Sequence, residues 1–232
     1  NQIALFVIQL SFAQQVGDEQ RNLVGIINSS GNLLLELIND ILDFSRIEAK
    51  KVELRSVDFD LDELLKEPLG GLALAAYAKN VELILSVSPE VPVHLRGDSI
   101  RLRQVLMNLI GNAVKFTEHG EIVIKVSLER KTMDSDLIRF SVRDTGIGIA
   151  VSQQPYLFDP FFQADSSIQR KYGGTGLGLP ITRGLIQQMG GNLCFSSEIG
   201  VGSEFIFTVP LKRVYANDPE IPVAPEWLGA RI

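Results

Sequence analysis

The chain has 232 residues, of which 45% are hydrophobic and 22% are charged, a composition typical of a globular protein rather than a disordered one. Its net charge of -6 and its pI near 5.1 provide no basic excess to neutralise phosphates, which excludes nucleic acid as the main partner. One cysteine, Cys194, excludes an internal disulfide framework and is typical of a reducing compartment.

Two helices are predicted at the amino-terminal end. Residues 1–14 are apolar without Gly or Pro, which indicates the last turns of a helix, and a longer helix is predicted from Asp18 to about Lys50. A narrow apolar seam follows its helical spacing: Leu23, Ile26, Ile27, Leu34, Leu37, Ile38, Ile41 and Phe44. One hairpin cannot bury this seam on both sides, so we expect a homodimer in which two hairpins form a four-helix bundle. Packing of the seam against the following domain is the alternative.

A linker, a helix and a strand are predicted next. Residues 51–62 are a short extended segment with the alternation of one strand. A helix is predicted from about Leu61 to Ala78 and a strand from Val81 to Val87, and Pro89 and Pro92 then mark a loop.

The helix predicted from Asp98 to Thr117 combines an apolar face with an unusual polar stripe. Asp98 suits its N-cap, and residues 118–120 provide its end. The apolar face contains Leu102, Val105, Leu106, Leu109, Ile110 and Ala113. The polar stripe contains Gln104, Asn108, Asn112 and Lys115. Solvated helix faces are usually built from Glu, Lys and Arg, whereas Asn is a poor residue inside a helix, so the two asparagines favour a binding function over a solvated face.

A carboxylate followed by two glycines comes after the next pair of predicted strands, Glu121 to Glu129 and Leu137 to Arg143. Asp144 continues the buried phase of the second strand, and a buried carboxylate is unfavourable without a partner. Gly146 and Gly148 either form a plain turn or allow a flat ligand to approach the backbone. In the second case, Asp144 can accept a hydrogen bond from the exocyclic amine of adenine.

A second glycine cluster follows a long segment without clear periodicity. Residues 150–176 are typical of a lid or a binding segment. Residues 173–178, GGTGLG, lead directly into a helix predicted from about Leu179 to Met189. Backbone N–H groups at a helix start form an anion site, and Arg170 and Lys171 add positive charge against a polyphosphate. A flexible hinge is the alternative.

A hairpin and a tail complete the chain. Strands are predicted from Asn192 to Ser197 and from Ser203 to Val209, around residues 200–202, which we interpret as a hairpin turn. The order of elements predicts helices packed on a mixed sheet, with the two-helix segment in front. The tail from Arg213 to Ile232 is rich in Pro and Ala and indicates a linker.

Together these motifs resemble the ATP-binding domain of sensor histidine kinases of two-component systems. The asparagine helix, Asp144-x-Gly-x-Gly, residues 158–162 (FDPFF), residues 173–178 and residues 200–202 look like the family's N, G1, F, G2 and G3 boxes. Residues 18–50 resemble the second helix of its dimerisation and phosphotransfer hairpin. The resemblance implies an α/β sandwich of the Bergerat (GHKL) type, with ATP between sheet, central helix and lid.

The resemblance also implies domain boundaries. Residues 1–52 would be the carboxyl-terminal part of the dimerising hairpin, and residues 53–212 the ATP-binding domain. Residues 213–232 would be a linker. Trp227 to Ile232 look like the approach to a receiver domain, which would make the parent a hybrid kinase.

Roles for individual residues follow from the same resemblance. Asn112 would bind the Mg²⁺ that bridges the ATP phosphates, Asn108 would support it, and Lys115 would face the phosphates. Asp144 would bind the adenine amine. The rest of the implied site comprises Gly146 and Gly148 beneath the adenine, Gly174, Gly176 and Gly178 around the phosphates, Thr175 and Leu177 between them, and Arg170 and Lys171 beside them.

The implied function is transfer of the γ-phosphate of Mg-ATP to a hairpin histidine, for relay to an aspartate of a response-regulator receiver domain. The family's acceptor, a histidine followed by Glu and then Thr-Pro, is not found in this sequence, so we expect it upstream of Asn1. His94 and His119 are expected in the loops before and after the central helix, as ordinary surface residues.

Two alternatives stay open: an ATPase like the gyrase, mismatch-repair and heat-shock enzymes, and a nucleotide-binding scaffold without kinase activity. Those ATPases have a glutamate base at the position of Asn108. An amide cannot accept the proton of an attacking water, which favours the kinase over the ATPase.

We expect the catalytic region to be cytoplasmic. The longest apolar runs of the sequence are too short to span a bilayer. Because the chain begins without Met, membrane or sensor segments upstream stay open.

Overall fold

The computed structural model describes residues 18–49, 53–133, 135–163 and 175–214, which form four α-helices, one short 3-10 helix (Gln154–Tyr156) and seven strands. The helices are α1 (Asp18–Glu48), α2 (Leu61–Tyr77), α3 (Ser99–Phe116) and α4 (Gly178–Gln188). The strands are β1 (Val57–Asp60), β2 (Val81–Val87), β3 (His94–Gly97), β4 (Gly120–Lys131), β5 (Asp136–Asp144), β6 (Asn192–Glu198) and β7 (Gly202–Arg213). The helix predicted over residues 1–14 and the tail from residue 215 onward lie outside the described residues. No described helix is long and apolar enough to cross a membrane.

The strands form a mixed sheet in the order β1-β3-β7-β5-β4-β2, with β6 paired to β7. Strands β2 and β4 are parallel, and the other neighbouring strands are antiparallel. The register of β5 and β7 places Asp144 opposite Ser203, so the first glycine motif begins beside the hairpin between β6 and β7. The predicted mixed sheet is confirmed.

Helices α2, α3 and α4 cover one face of this sheet. Alternate residues of β5 are buried in the core, whereas Arg143 between them is exposed. The rings of Phe140 on β5 and Phe207 on β7 stack with their centroids 4.8 Å apart. From α3, every residue predicted for the apolar face is buried: Leu102, Val105, Leu106, Leu109, Ile110 and Ala113. The predicted α/β sandwich is therefore confirmed.

The segment before α3 differs from the prediction. Instead of a loop, it contains the four-residue strand β3, which pairs with β1 and with the end of β7. The prediction that His94 lies in a loop is therefore wrong, although its side chain is exposed as expected. A four-residue strand is too short to show alternation, so its partners rather than its own sequence determine it. His119 lies in the bend between α3 and β4, as predicted.

Helix α1 has two different faces. The predicted seam is between 37% and 67% exposed in this single chain at Leu23, Ile26, Ile27, Leu34, Leu37, Ile38 and Ile41. Phe44, the last seam residue, instead packs with Ile47 against the core of the α/β sandwich. The end of α1 thus docks on the sandwich, and most of the seam does not.

Candidate functional site

The polar stripe of α3 is partly buried, and two of its residues contact other helices. Gln104 Nε2 donates to Asp43 Oδ2 of α1 at 2.8 Å, and Asn108 Nδ2 donates to Thr182 Oγ1 of α4 at 2.7 Å. Asn112 Nδ2 approaches Asn108 Oδ1 at 3.5 Å. Because each amide has a specific partner, the stripe differs from an ordinary solvated face.

Both ends of α3 are fixed by side chains. Asp98 is the N-cap and accepts a hydrogen bond from the Arg101 N–H at 3.0 Å, as the sequence predicts. At the other end, Lys79 Nζ donates to the carbonyl oxygens of Val114 and Lys115 at 2.6 and 3.0 Å. A positive charge is favourable at this end because the carbonyl groups there carry partial negative charge. The position of the two asparagines is therefore well determined.

Asp144 lies at the end of β5 with only 7% of its surface exposed. Its Oδ1 accepts hydrogen bonds from the N–H groups of Gly146 at 2.8 Å and of Ser203 at 3.3 Å. Burial raises the pKa of this carboxyl group above its ordinary value of 3.8, and the two N–H groups act in the opposite direction. Both bonds end on Oδ1, so neither uses Oδ2.

Glycines allow the backbone to approach closely around Asp144. A Cβ atom at Gly146 would lie 2.5 Å from the carbonyl oxygen of Phe116. Gly148 has a φ of +69°, and a Cβ there would lie 2.0 Å from a β6 carbonyl oxygen. Gly202 has a φ of +126°, and a Cβ there would lie 2.0 Å from the carbonyl oxygen of Asp144. Residues 199–201 form the hairpin turn, one residue earlier than predicted, and Gly202, the first residue of β7, makes room for the end of β5.

The second glycine cluster approaches α3 directly. A Cβ atom at Gly178 would lie 2.4 Å from Asn108 Oδ1, so the first residue of α4 must be small for Asn108 to occupy its position. The carbonyl oxygen of Gly176 accepts a hydrogen bond from the Phe161 N–H at 3.1 Å, which joins this cluster to the segment before it.

Thr175 organises the start of α4. Its Oγ1 accepts a hydrogen bond from the Leu177 N–H at 3.1 Å and donates to Asp40 Oδ2 of α1 at 2.8 Å. No side chain caps α4, which begins at Gly178. The helix start therefore keeps the positive partial charge that favours an anion.

The remaining predicted residues divide into two groups. Lys115 is half-buried at the end of α3, and its Nζ lies 5.0 Å from the centroid of the Phe116 ring. Arg170, Lys171 and Gly174 lie outside the described residues, so their assignment to the site stays a prediction.

Two polar residues of this region were not predicted, Thr182 and Ser203. Thr182 is 1% exposed and binds Asn108, and Ser203 is 8% exposed and donates its N–H to Asp144. Thr182 follows Gly178 by one helical turn, which is the signal that could have placed it on the face of α4 next to the glycines. Ser203 contributes a backbone group, which residue type alone does not indicate.

The donor set suits a magnesium nucleotide better than a metal held by protein alone. Among the described residues, no group of three or more His, Cys, Asp or Glu residues could hold a metal ion. The amide oxygen of Asn112 is a hard ligand, and Mg²⁺ commonly takes few protein ligands and completes its shell with phosphates and water. Asn112 lies on α3 between Asn108, which Gly178 approaches, and Phe116, whose carbonyl oxygen Gly146 approaches.

Two family models match the chain. Residues 97–213 match the histidine kinase-, DNA gyrase B- and HSP90-like ATPases, and residues 3–50 match the His kinase A (phospho-acceptor) domain.

Individual proteins give the same result. The chain is 45% identical over 213 residues to the sensor histidine kinase GacS of Pseudomonas protegens, which is 92% of this chain and 23% of the relative. It is 45% identical over 191 residues to the hybrid signal transduction histidine kinase B of Dictyostelium discoideum, 82% of this chain and 10% of the relative. It thus spans less than a quarter of these curated relatives. The crystal structure of full-length ShkA in complex with AMPPNP superimposes with a TM-score of 0.74 at 37% identity, over 87% of this chain and 41% of that one.

Proposed function

Because this chain belongs to the sensor histidine kinases, we propose that it binds Mg-ATP and transfers the γ-phosphate to a histidine of the hairpin. The phosphoryl group would then pass to an aspartate of a response-regulator receiver domain. The observation that carries the proposal is the position of Asn108, which contacts Thr182 and Gly178 at the start of α4 and lies one turn from Asn112.

Adenine would bind at the end of β5. Asp144 Oδ2 would accept a hydrogen bond from the exocyclic amine, while Oδ1 stays bound to the N–H groups of Gly146 and Ser203. Gly146 and Gly148 would lie beneath the adenine, in a turn that their missing side chains allow to pack closely against the backbone of Phe116 and Glu198. Burial of Asp144 strengthens such a hydrogen bond, since little water competes for the carboxylate.

The phosphates would bind between α3 and α4. The start of α4 offers backbone N–H groups and a favourable dipole, with Gly176 and Gly178 keeping side chains out of the way. Lys115 on α3 would add a positive charge. Arg170, Lys171, Gly174, Thr175 and Leu177 complete the proposed phosphate site.

Asn112 would hold the magnesium ion through its amide oxygen. When bound with ATP, Mg²⁺ neutralises charge on the phosphates and fixes their orientation. The chain's own contribution is to position Asn112, which it achieves by fixing both ends of α3 and by contact with Asn108. Phosphoryl transfer needs an in-line approach of the acceptor, so this positioning controls the rate.

Asn108 favours the kinase over the ATPase. Its Nδ2 donates to Thr182, and an amide accepts no proton from water at ordinary pH. Water attack on the γ-phosphate should therefore be slow, which preserves ATP for the histidine.

The active form would be a homodimer formed through the α1 seam, as the match to the His kinase A domain supports. The receiver domain would be supplied by a separate response regulator or by the parent chain, as in a hybrid kinase. The catalytic region would lie in the cytoplasm, where ATP is available.

Equilibrium binding tests the nucleotide site. Wild type should bind Mg-ATP, and both Asn112→Asp and Asp144→Asn should bind it at least about tenfold more weakly. Asn112→Asp places a negative charge near the phosphates, and Asp144→Asn places an amide donor against the adenine amine. The exposed Asn192→Asp on β6 is the matched control and should bind like wild type. Equal affinity for Asn112→Asp, Asp144→Asn and wild type would show that the site assignment is wrong.

Labelled ATP tests the reaction. The 232-residue chain should gain no acid-labile, base-stable phosphate, because both of its histidines lie beside α3 rather than in the hairpin. A version extended upstream through the first hairpin helix should become labelled, and Asn112→Asp should abolish the label. Label on His94 or His119 would contradict the acceptor assignment. Rapid phosphate release without label would favour the ATPase.

A further inference from the structure

The end of α1 contacts the sandwich through a regular row of side chains. Asp40, Asp43, Phe44 and Ile47 recur at helical spacing and form the docking row, which adjoins the apolar seam and shares Phe44 with it. Each member contacts the sandwich, Phe44 by packing against its core and the other three through specific partners.

The contacts at Ile47 are the closest. A Cβ atom at Gly184 of α4 would lie 2.3 Å from Ile47 Cγ2, so the absence of a side chain at residue 184 lets the two helices approach. Gln188 Nε2, one turn further, donates to the carbonyl oxygen of Ile47 at 3.3 Å. Gly184 is therefore a specific requirement for docking.

The next turn is held by a polar contact with α3. Asp43 Oδ2 accepts a hydrogen bond from Gln104 Nε2 at 2.8 Å and lies 3.7 Å from Arg101 Nη1. Arg101 in turn donates to Gln104 Oε1 at 2.8 Å. The charge of Asp43 is thus balanced by a guanidinium group.

Asp40 is in a different situation, because its partner belongs to the second glycine cluster. Thr175 Oγ1 donates to Asp40 Oδ2 at 2.8 Å and accepts from the Leu177 N–H, so a chain of hydrogen bonds runs from the start of α4 to this carboxylate. The structure thereby brings the Asp40 carboxylate to the amino-terminal end of α4, which is the end that favours anions. Among the described residues, Asp40 forms no salt bridge.

From these contacts we infer that Asp40 of the docked α1 competes with the nucleotide phosphates for the start of α4 and so lowers the affinity for Mg-ATP. This inference rests on the proposed function, since it assigns Asp40 a role at the same site. Both anions are stabilised by the Thr175 hydroxyl and the α4 dipole, and they repel each other at short distance. Docking of α1 and binding of nucleotide are consequently coupled, and each weakens the other.

The test compares two aspartates of the docking row. Asp40→Asn removes the negative charge and keeps an oxygen that can accept the Thr175 hydrogen bond. At low salt it should bind Mg-ATP about three- to tenfold more tightly than wild type, and this gain in affinity should shrink as salt is added. Asp43→Asn makes the same charge change one turn further along, keeps an acceptor for Gln104, and should bind within about twofold of wild type.

A third variant changes docking without changing charge. Gly184→Gln places a side chain where Ile47 packs, so it should release the end of α1 and tighten Mg-ATP binding to a similar degree as Asp40→Asn. Combining Gly184→Gln with Asp40→Asn should then give no further gain, because the released α1 no longer brings Asp40 to Thr175.

The possible results separate this inference from the proposed function. Absence of Mg-ATP binding by wild type and all variants would overturn both. Binding by wild type with equal affinity for Asp40→Asn would overturn only the role of Asp40. Equal tightening by Asp40→Asn and Asp43→Asn would also overturn it, because the effect would then follow total charge rather than the contact with Thr175.

Discussion

Asn108 Oδ1 and Gly178 are so close that a Cβ atom on residue 178 would lie 2.4 Å from the amide oxygen. Asn108 also donates to Thr182, one turn further along α4, so the asparagine is enclosed between two residues of one helix. The contact joins two motifs that are far apart in the sequence, and it makes the position of Asn108 depend on the absence of a side chain at residue 178.

Gly178→Ala should therefore weaken Mg-ATP binding by about tenfold or more, because the new methyl group displaces the Asn108 amide. Gly70→Ala in α2 is the matched control, since a Cβ atom at residue 70 meets nothing within 4 Å. The control should keep the affinity of wild type and gain roughly 0.5–1 kcal/mol in the free energy of unfolding from its helix propensity. Isothermal titration calorimetry measures the Mg-ATP affinity of all three proteins, and unchanged binding by Gly178→Ala would contradict the proposed role of the contact.

The raised pKa of Asp144 predicts a pH-dependent stability. At pH values between the ordinary pKa of 3.8 and the raised pKa, the folded protein binds more protons than the unfolded chain. The stabilising contribution of Asp144 to the free energy of unfolding is therefore fully present below about pH 4 and is lost as the pH rises through the folded pKa. Asp144→Asn lacks this loss and keeps an acceptor for Gly146 and Ser203. The melting temperature of Asp144→Asn minus that of wild type should therefore increase from pH 4 to pH 7.

Asp58 provides a control with the opposite shift. Its side-chain hydrogen bond to Arg96 lowers the pKa of Asp58, so this group titrates below about pH 4 in the folded protein. The melting temperature of Asp58→Asn relative to wild type should stay constant between pH 5 and pH 7. A constant difference for Asp144→Asn over pH 4 to 7 would show that burial does not control the titration of Asp144.

Helix α3 was predictable because its signals are local. Asp98 acts as the N-cap, and the apolar and polar stripes follow the helical period, so nearby residues contain the information needed. The burial of Asp144 was predictable for the same reason, since it continues the alternation of β5. Strand β3 was missed because four residues carry no period, and its hydrogen bonds come from β1 and β7.

Contacts between distant segments could not be predicted from the sequence. Thr175 and Asp40 are 135 residues apart, and Gln104 and Asp43 are 61 apart, so no local pattern links them. The helical spacing that predicted the seam of α1 could not show that Phe44 docks on the sandwich, because both arrangements bury an aromatic ring equally well.

Lys79 is predicted to stabilise the domain from a position outside the site. Its Nζ donates to the carbonyl oxygens of Val114, Lys115 and Thr117 at 2.6, 3.0 and 3.3 Å. Lys79→Met should lower the free energy of unfolding by about 1–2 kcal/mol, because these carbonyl groups lose a charged donor. Urea denaturation measures this loss, with the exposed Lys66→Met in α2 expected to stay within about 0.5 kcal/mol of wild type. Equal stability of both variants would mean that water replaces the lysine without loss.

The exposed seam of α1 predicts the outcome of a single charge substitution. Leu34 is 58% exposed in the single chain and would be buried against the second copy of a four-helix bundle. Each buried leucine contributes about 1.5–3 kcal/mol to the free energy of dimerisation, and a symmetric dimer buries one Leu34 from each subunit. Leu34→Glu should therefore weaken dimerisation at least about a hundredfold. Leu74→Glu is the matched control, because Leu74 is 78% exposed on α2, away from the seam. Sedimentation velocity over a range of concentrations should show dimers for wild type and Leu74→Glu and monomers for Leu34→Glu. Dimers of equal affinity for all three proteins would show that the dimer interface does not include the seam.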